Sequence, residues 1–170
     1  MEISVPLTTS GYLPDLYSKY APITAQIGGY PVVSPPIDLR DVPEETVSLA
    51  LTLLDYDAVP VGGFVWIHWL AANLAPDLRQ IPENISQTRA ENLVQGRNST
   101  AGRLVAETDP RINQRYTGPQ PPDQDHHYEL TVYALRQPLA LRPGYWFNEF
   151  RQLAQPQIIT TARTIILSRV

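Results

Sequence analysis

The side chains able to do chemistry fall in two stretches. The first is Asp55-Tyr-Asp57-Ala-Val-Pro60, followed by His68. The second is Tyr116-Thr-Gly-Pro-Gln-Pro-Pro-Asp-Gln-Asp-His-His-Tyr128. Together they hold four aspartates, Asp55 and Asp57 among them, all three histidines and three tyrosines. Imidazole and phenol donate hydrogen bonds, backbone amides in a stiff loop add dipoles, and an aspartate can orient a histidine through its ring N–H. Such a set can hold phosphate or another small anion. A carboxylate touching the anion would repel it, so Asp55 is expected to orient a histidine or to meet a cationic headgroup. Each residue also has a plainer use. Asp55 and Asp57 can serve as turn residues that bond their own backbone. His68, between tryptophans, can be a hydrogen-bonded core residue, and the 116–128 stretch can be a proline-rich turn.

These residues need elements to position them. Prolines 119, 121 and 122 fix φ and remove amide donors, so the loop is stiff and cannot pair in a sheet at its centre. Gly118 is expected to adopt angles other residues avoid and to present its amide to a ligand. His127–Arg136 then alternates as a strand, with Tyr128, Leu130, Val132 and Ala134 on one face and His127, Glu129, Thr131 and Tyr133 on the other. The stretch 46–54 alternates in the same way. Phe64–Leu70 is rich in β-branched and aromatic residues, and simple alternation places Phe64, Trp66, His68 and Leu70 on one face and Val65, Ile67 and Trp69 on the other. Two such strands with a short connection predict an antiparallel pair, with Asp55 near the start of its neighbour.

Elsewhere, Ile3, Val5 and Leu7 suggest a short strand, Tyr12–Tyr20 a helical turn, and Gly28-Gly-Tyr-Pro31 a turn. Residues 32–39 read as an extended segment at a sheet edge because of their prolines. Residues 75–115 are polar and irregular. Asn98-Ser-Thr100 matches a glycosylation sequon, read here as a polar turn. Phe147, Phe150, Leu153 and Ala154 are spaced as a short amphipathic helix. Residues 160–170 are open between strand and helix, with Thr164-Ile-Ile-Leu167 favouring strand. The Val59–Pro60 bond is a candidate for the cis isomer.

The chain has 170 residues, 43% of them hydrophobic and 18% charged, which fits one globular domain over residues 1–170. A net charge of −4 argues against nucleic-acid binding, which needs a basic face to neutralise phosphates. Without cysteine there is no disulfide, thiolate zinc site or cysteine nucleophile. No apolar run approaches membrane-spanning length, and the N-terminus lacks the basic head and apolar run of a signal peptide, so a cytoplasmic location is expected.

Taken jointly, the two stretches resemble the motifs of the phosphatidylethanolamine-binding protein family, in its bacterial Raf-kinase-inhibitor-like branch. Asp55-Tyr-Asp57-Ala-Val-Pro60 and the strand ending His68-Trp69 are similar to the first motif; Gly118-Pro-Gln-Pro-Pro122 with His126-His-Tyr128 is similar to the second. Ser34-Pro-Pro36, residues 42–50, Gln95-Gly-Arg-Asn98 and Thr131-Val-Tyr-Ala-Leu135 extend the likeness over most of the chain. The resemblance implies an antiparallel β-sandwich with a few peripheral helices. It implies an anion or phospholipid-headgroup pocket formed by Asp55, His68, Gly118, Pro122, His126 and Tyr128, with Asp57, Pro60, Pro119 and Pro121 in its wall. It implies a non-enzymatic binding protein, without cofactor, that regulates a kinase or other enzyme through an unidentified partner; a homodimer is open. The alternative is a metal-dependent hydrolase or transferase using Asp55, Asp57 and His68. Departures from the family pattern are Tyr56 in place of proline, the inserted Val59, His127 in place of arginine, and an ending over residues 161–170 without the glycine and tyrosine usual there.

Overall fold

The structure is a computed structural model and describes residues 1–89 and 93–170. Three strands dominate it because their sequences are apolar on both faces. β5 (Ser48–Asp55) is buried at every position. β6 (Trp66–Leu74) and β9 (His126–Leu135) flank it, both antiparallel to it. β10 (Ile158–Ser168) pairs along the whole of β9, and β8 (Val94–Gln95) closes the other edge beside β6. The large sheet therefore runs β10-β9-β5-β6-β8.

A smaller sheet packs on one face of it. β1 (Glu2–Ser4), β4 (Ile37–Arg40) and β7 (Gln80–Ile81) are ordered β1-β4-β7. Leu49, Leu51 and Leu53 of β5 and Leu130, Val132 and Ala134 of β9 meet Ile37, Leu39 and Ile81 there, the hydrophobic interior of the sandwich. The opposite face of the large sheet carries Ala50, Leu70, Ala72 and Leu135. It is covered by Leu139, Tyr145 and α4 (Phe147–Ala154), through Phe150 and Ala154. The architecture is thus mainly β and antiparallel, with short peripheral helices. In β5 the alternation sorts side chains between two interiors rather than between interior and solvent.

Several expectations change in detail. β4 lies at the centre of the small sheet, not at an edge, because Pro35 and Pro36 precede the strand and cost it no ladder donor. Residues 160–170 resolve as strand. In α4 Phe150 and Ala154 are buried while Leu153 is exposed, so the apolar face is narrower than the spacing predicts. Outside residues 90–92, which lie beyond the described residues, the 75–115 segment is ordered by its own hydrogen bonds. Asn98 is buried at its hub: its Nδ2 donates to the carbonyls of Ile112 (2.6 Å) and Arg115 (2.8 Å), and its Oδ1 accepts from the Thr100 amide (3.0 Å) and hydroxyl (2.6 Å). It is therefore a core organiser rather than a plain polar turn. The Val59–Pro60 peptide is trans.

Candidate functional site

A cavity of about 270 Å³ opens at one end of the large sheet. Its polar floor comes from β5, β6 and β9: Asp55, His68, His126 and Tyr128. Its walls are mostly apolar: Tyr30 from the hairpin of β2 (Gln26–Ile27) and β3 (Tyr30–Pro31), Val61 from α1 (Val59–Gly62), Trp66, Val105, Pro121 and Pro122.

Strand register explains how the floor assembles. Asp55 stands directly opposite Tyr128 across β5 and β9, so both side chains share a face. His126 lies two residues before Tyr128 and shares it too. His68 arrives differently. Leu53 faces Trp69 but Leu54 faces Ile67, which leaves His68 as an extra residue in β6. This β-bulge re-aims the side chain. It overturns the face assignment made by alternation. Leu70 packs with Ile67 towards α4, whereas His68 edges onto the Tyr128 ring at 5.1 Å and Trp69 packs in the sandwich interior.

The two cavity histidines have opposite electrostatic surroundings. His68 Nδ1 donates to the Thr117 carbonyl at 2.8 Å, while the Thr117 amide donates to the His68 carbonyl at 3.1 Å. A carbonyl only accepts, so Nδ1 carries the proton and Nε2 carries a lone pair in the neutral ring. Burial lowers the His68 pKa, against the raising effects of that hydrogen bond and of Asp55. His126 lies between two carboxylates, with Nδ1 at 2.8 Å from Asp55 Oδ2 and Nε2 at 2.9 Å from Asp123 Oδ1. Burial alone would lower its pKa, but the bonds to Asp55 and Asp123 outweigh it and the net shift is upward. Both ring nitrogens can donate only as imidazolium. Tyr128 is held protonated, its pKa raised by burial and by the nearby Asp55 charge.

Asp55 fills both of the roles the sequence left open. Its Oδ1 accepts the Ala58 amide at 3.0 Å as a turn residue, and its Oδ2 orients His126. The residues assigned as ligand contacts, Asp55, His68, Gly118, Pro122, His126 and Tyr128, all line the cavity, as does Pro121. Asp57, Pro60 and Pro119 do not. Asp57 turns outward and accepts from the His127 amide (2.8 Å) and ring (3.1 Å), which holds its carboxyl below the usual range. Pro60 is exposed, and Ala58, Val61 and Gly62 form the wall there.

Gly118 is required for a reason other than the one expected. Its amide donates to the Pro31 carbonyl at 2.8 Å and so is not free. A Cβ there would sit 2.2 Å from the Tyr17 carbonyl oxygen, so close packing dictates the glycine. Lys19 braces the same loop: its amide donates to the Pro119 carbonyl and its Nζ to that of Pro121, both at 2.8 Å. Sequence reasoning missed Asp123, Thr117 and Lys19. Asp123 was discoverable as a carboxylate three residues before a histidine in a stiff loop. Thr117 and Lys19 act through backbone carbonyls and leave no motif.

Comparisons with known proteins bear on the family and the fold. A model of the phosphatidylethanolamine-binding protein family matches residues 4–168. This chain belongs to that family. It is 43% identical to the uncharacterised protein YxkA of Bacillus subtilis over 168 residues, covering 99% of this chain and 100% of that one. The crystal structure of Chlamydia trachomatis CT736, described as a homologue of phosphatidylethanolamine-binding protein, superposes with a TM-score of 0.78 at 27% identity, covering 99% and 97% of the two chains. The fold is also that of Escherichia coli YbcL, with a TM-score of 0.76 at 22% identity and coverage of 99% and 98%. Family membership supports a binding protein. Among the described residues no helix is long and apolar enough to cross a membrane, and no group of three or more His, Asp or Glu side chains is placed to hold a metal ion.

Proposed function

We propose that this protein binds a small phosphorylated anion in the cavity floored by His68, His126 and Tyr128. The observation that carries this reading is the convergence of these three side chains, from two non-adjacent strands of one sheet, on a single mostly apolar cavity. An anion reaching the floor displaces the half-exposed Asp123 carboxylate and accepts from His126 Nε2; the Tyr128 hydroxyl is a second donor. Asp55 stays behind His126 and keeps it charged. The metal-dependent alternative loses a ligand, because Asp57 is turned towards His127. Regulation of a kinase or other enzyme would follow from such binding and requires a partner-capture experiment of its own.

A titration with inorganic phosphate, followed through the ring resonances of His68 and His126, tests the reading. Both rings should shift together, and in His68→Ala the His126 shift should need roughly tenfold more phosphate. Unmoved rings at millimolar phosphate would overturn it.

A further inference from the structure

The hydrogen bonds already made inside the cavity specify which protonation state of an anion fits. We propose that the site selects a phosphate group carrying a P–OH, a free phosphate or phosphate monoester in its singly protonated form, over a phosphodiester. The inference rests on the anion reading above and narrows it to a ligand class.

Two independent observations lead here. The first is the tautomer of His68. Thr117 takes the Nδ1 proton, so Nε2 meets the cavity as an acceptor. A ligand atom placed against it must bring a hydrogen. A phosphodiester anion has only acceptor oxygens, whereas a singly protonated monoester has acceptors for His126 and Tyr128 and one P–OH to donate to His68. The second is charge. Among the described residues no lysine or arginine lines the cavity. The groups facing His68 are Asp55 on β5 and His126 and Tyr128 on β9, with Asp123 at the Nε2 of His126. With Asp123 displaced, the one imidazolium is already balanced by Asp55, which leaves no surplus positive charge for a dianion. A monoanion that supplies its own proton asks less of the site than a doubly charged phosphate.

Methyl phosphate and dimethyl phosphate separate the classes. Near pH 5.5 both are mainly monoanions, since the second ionisation of a phosphate monoester lies near pH ~6, and they differ in the P–OH. Methyl phosphate should bind on the order of tenfold more tightly, the worth of one hydrogen bond at a buried acceptor. At pH 8, where it has lost that proton, its affinity should fall by roughly tenfold or more, while dimethyl phosphate changes less. In His68→Gln, whose amide can accept or donate, the preference should shrink towards unity with binding retained. Nitrogen-15 spectra of the free wild-type protein should show an unprotonated Nε2 on His68. Equal or tighter binding of dimethyl phosphate, or a protonated Nε2 with a bare Nδ1, would overturn the inference and leave anion binding standing. Failure of both compounds to bind would overturn the anion reading and this inference with it.

Discussion

The β6 side and the β9 side of the cavity each offer one histidine, and they solve opposite problems. His126 enters on a regular strand and is pushed towards the imidazolium by the carboxylates at both ring nitrogens. His68 enters on a bulge, is buried against a carbonyl, and is held neutral. One ring is biased towards the cation and the other towards the neutral acceptor. Two residues of the same type therefore perform different chemistry because of what their partners can accept.

Removing each ring tests the contrast most strongly. His126→Ala leaves the buried Asp55 without its counter-charge and should cost about 3 kcal/mol of stability in denaturant unfolding. His68→Ala removes a neutral hydrogen bond and some packing and should cost about half as much, roughly 1.5 kcal/mol. Equal losses would erase the distinction. The loop that carries Thr117 is tested by Gly118→Ala, whose Cβ must push away the Tyr17 carbonyl. A cost of about 2 kcal/mol is expected, with the His68 ring resonances shifted.

The pH dependence of stability should differ in sign between the two rings. The folded pKa of His126 is raised, so its contribution is complete below the unfolded value and is lost as pH rises through the folded one. The advantage of wild type over His126→Gln should therefore shrink as pH rises above ~6.5. The folded pKa of His68 is lowered, so the unfolded chain takes up a proton that the folded chain refuses. Wild type should lose stability relative to His68→Gln as pH falls below ~6.5. Parallel slopes in the two variants would contradict the opposite charge states. The smallest effect belongs to Asp123→Asn. Its pair with His126 is half-exposed and should cost at most about 1 kcal/mol. Inorganic phosphate should bind a few-fold more tightly once the competing carboxylate is gone, measured by calorimetry.

Much of this was legible in the residues. Alternation at 46–54 and 127–136 marked strands that pair side by side, and Asp55, His126 and Tyr128 follow from strand register once those strands are neighbours. The His68 bulge was not legible. Ile67, His68 and Trp69 are all large, and nothing in a period-two pattern marks which residue is skipped by the partner strand. Gly118 lines the cavity, but its amide is taken by the Pro31 carbonyl and its close contact is Tyr17, about a hundred residues distant in the chain and so invisible to local pattern.

The sequence by itself determined the family, the β-rich architecture and the side chains that gather at the sheet end, since these depend on local pattern and motif. Tertiary structure alone decided which nitrogen of His68 bears the proton, that Asp123 guards His126, and that Asp57 faces away. Those outcomes turn on individual hydrogen-bond partners brought together from separate segments, and a partner's identity is a property of three-dimensional proximity rather than of residue order.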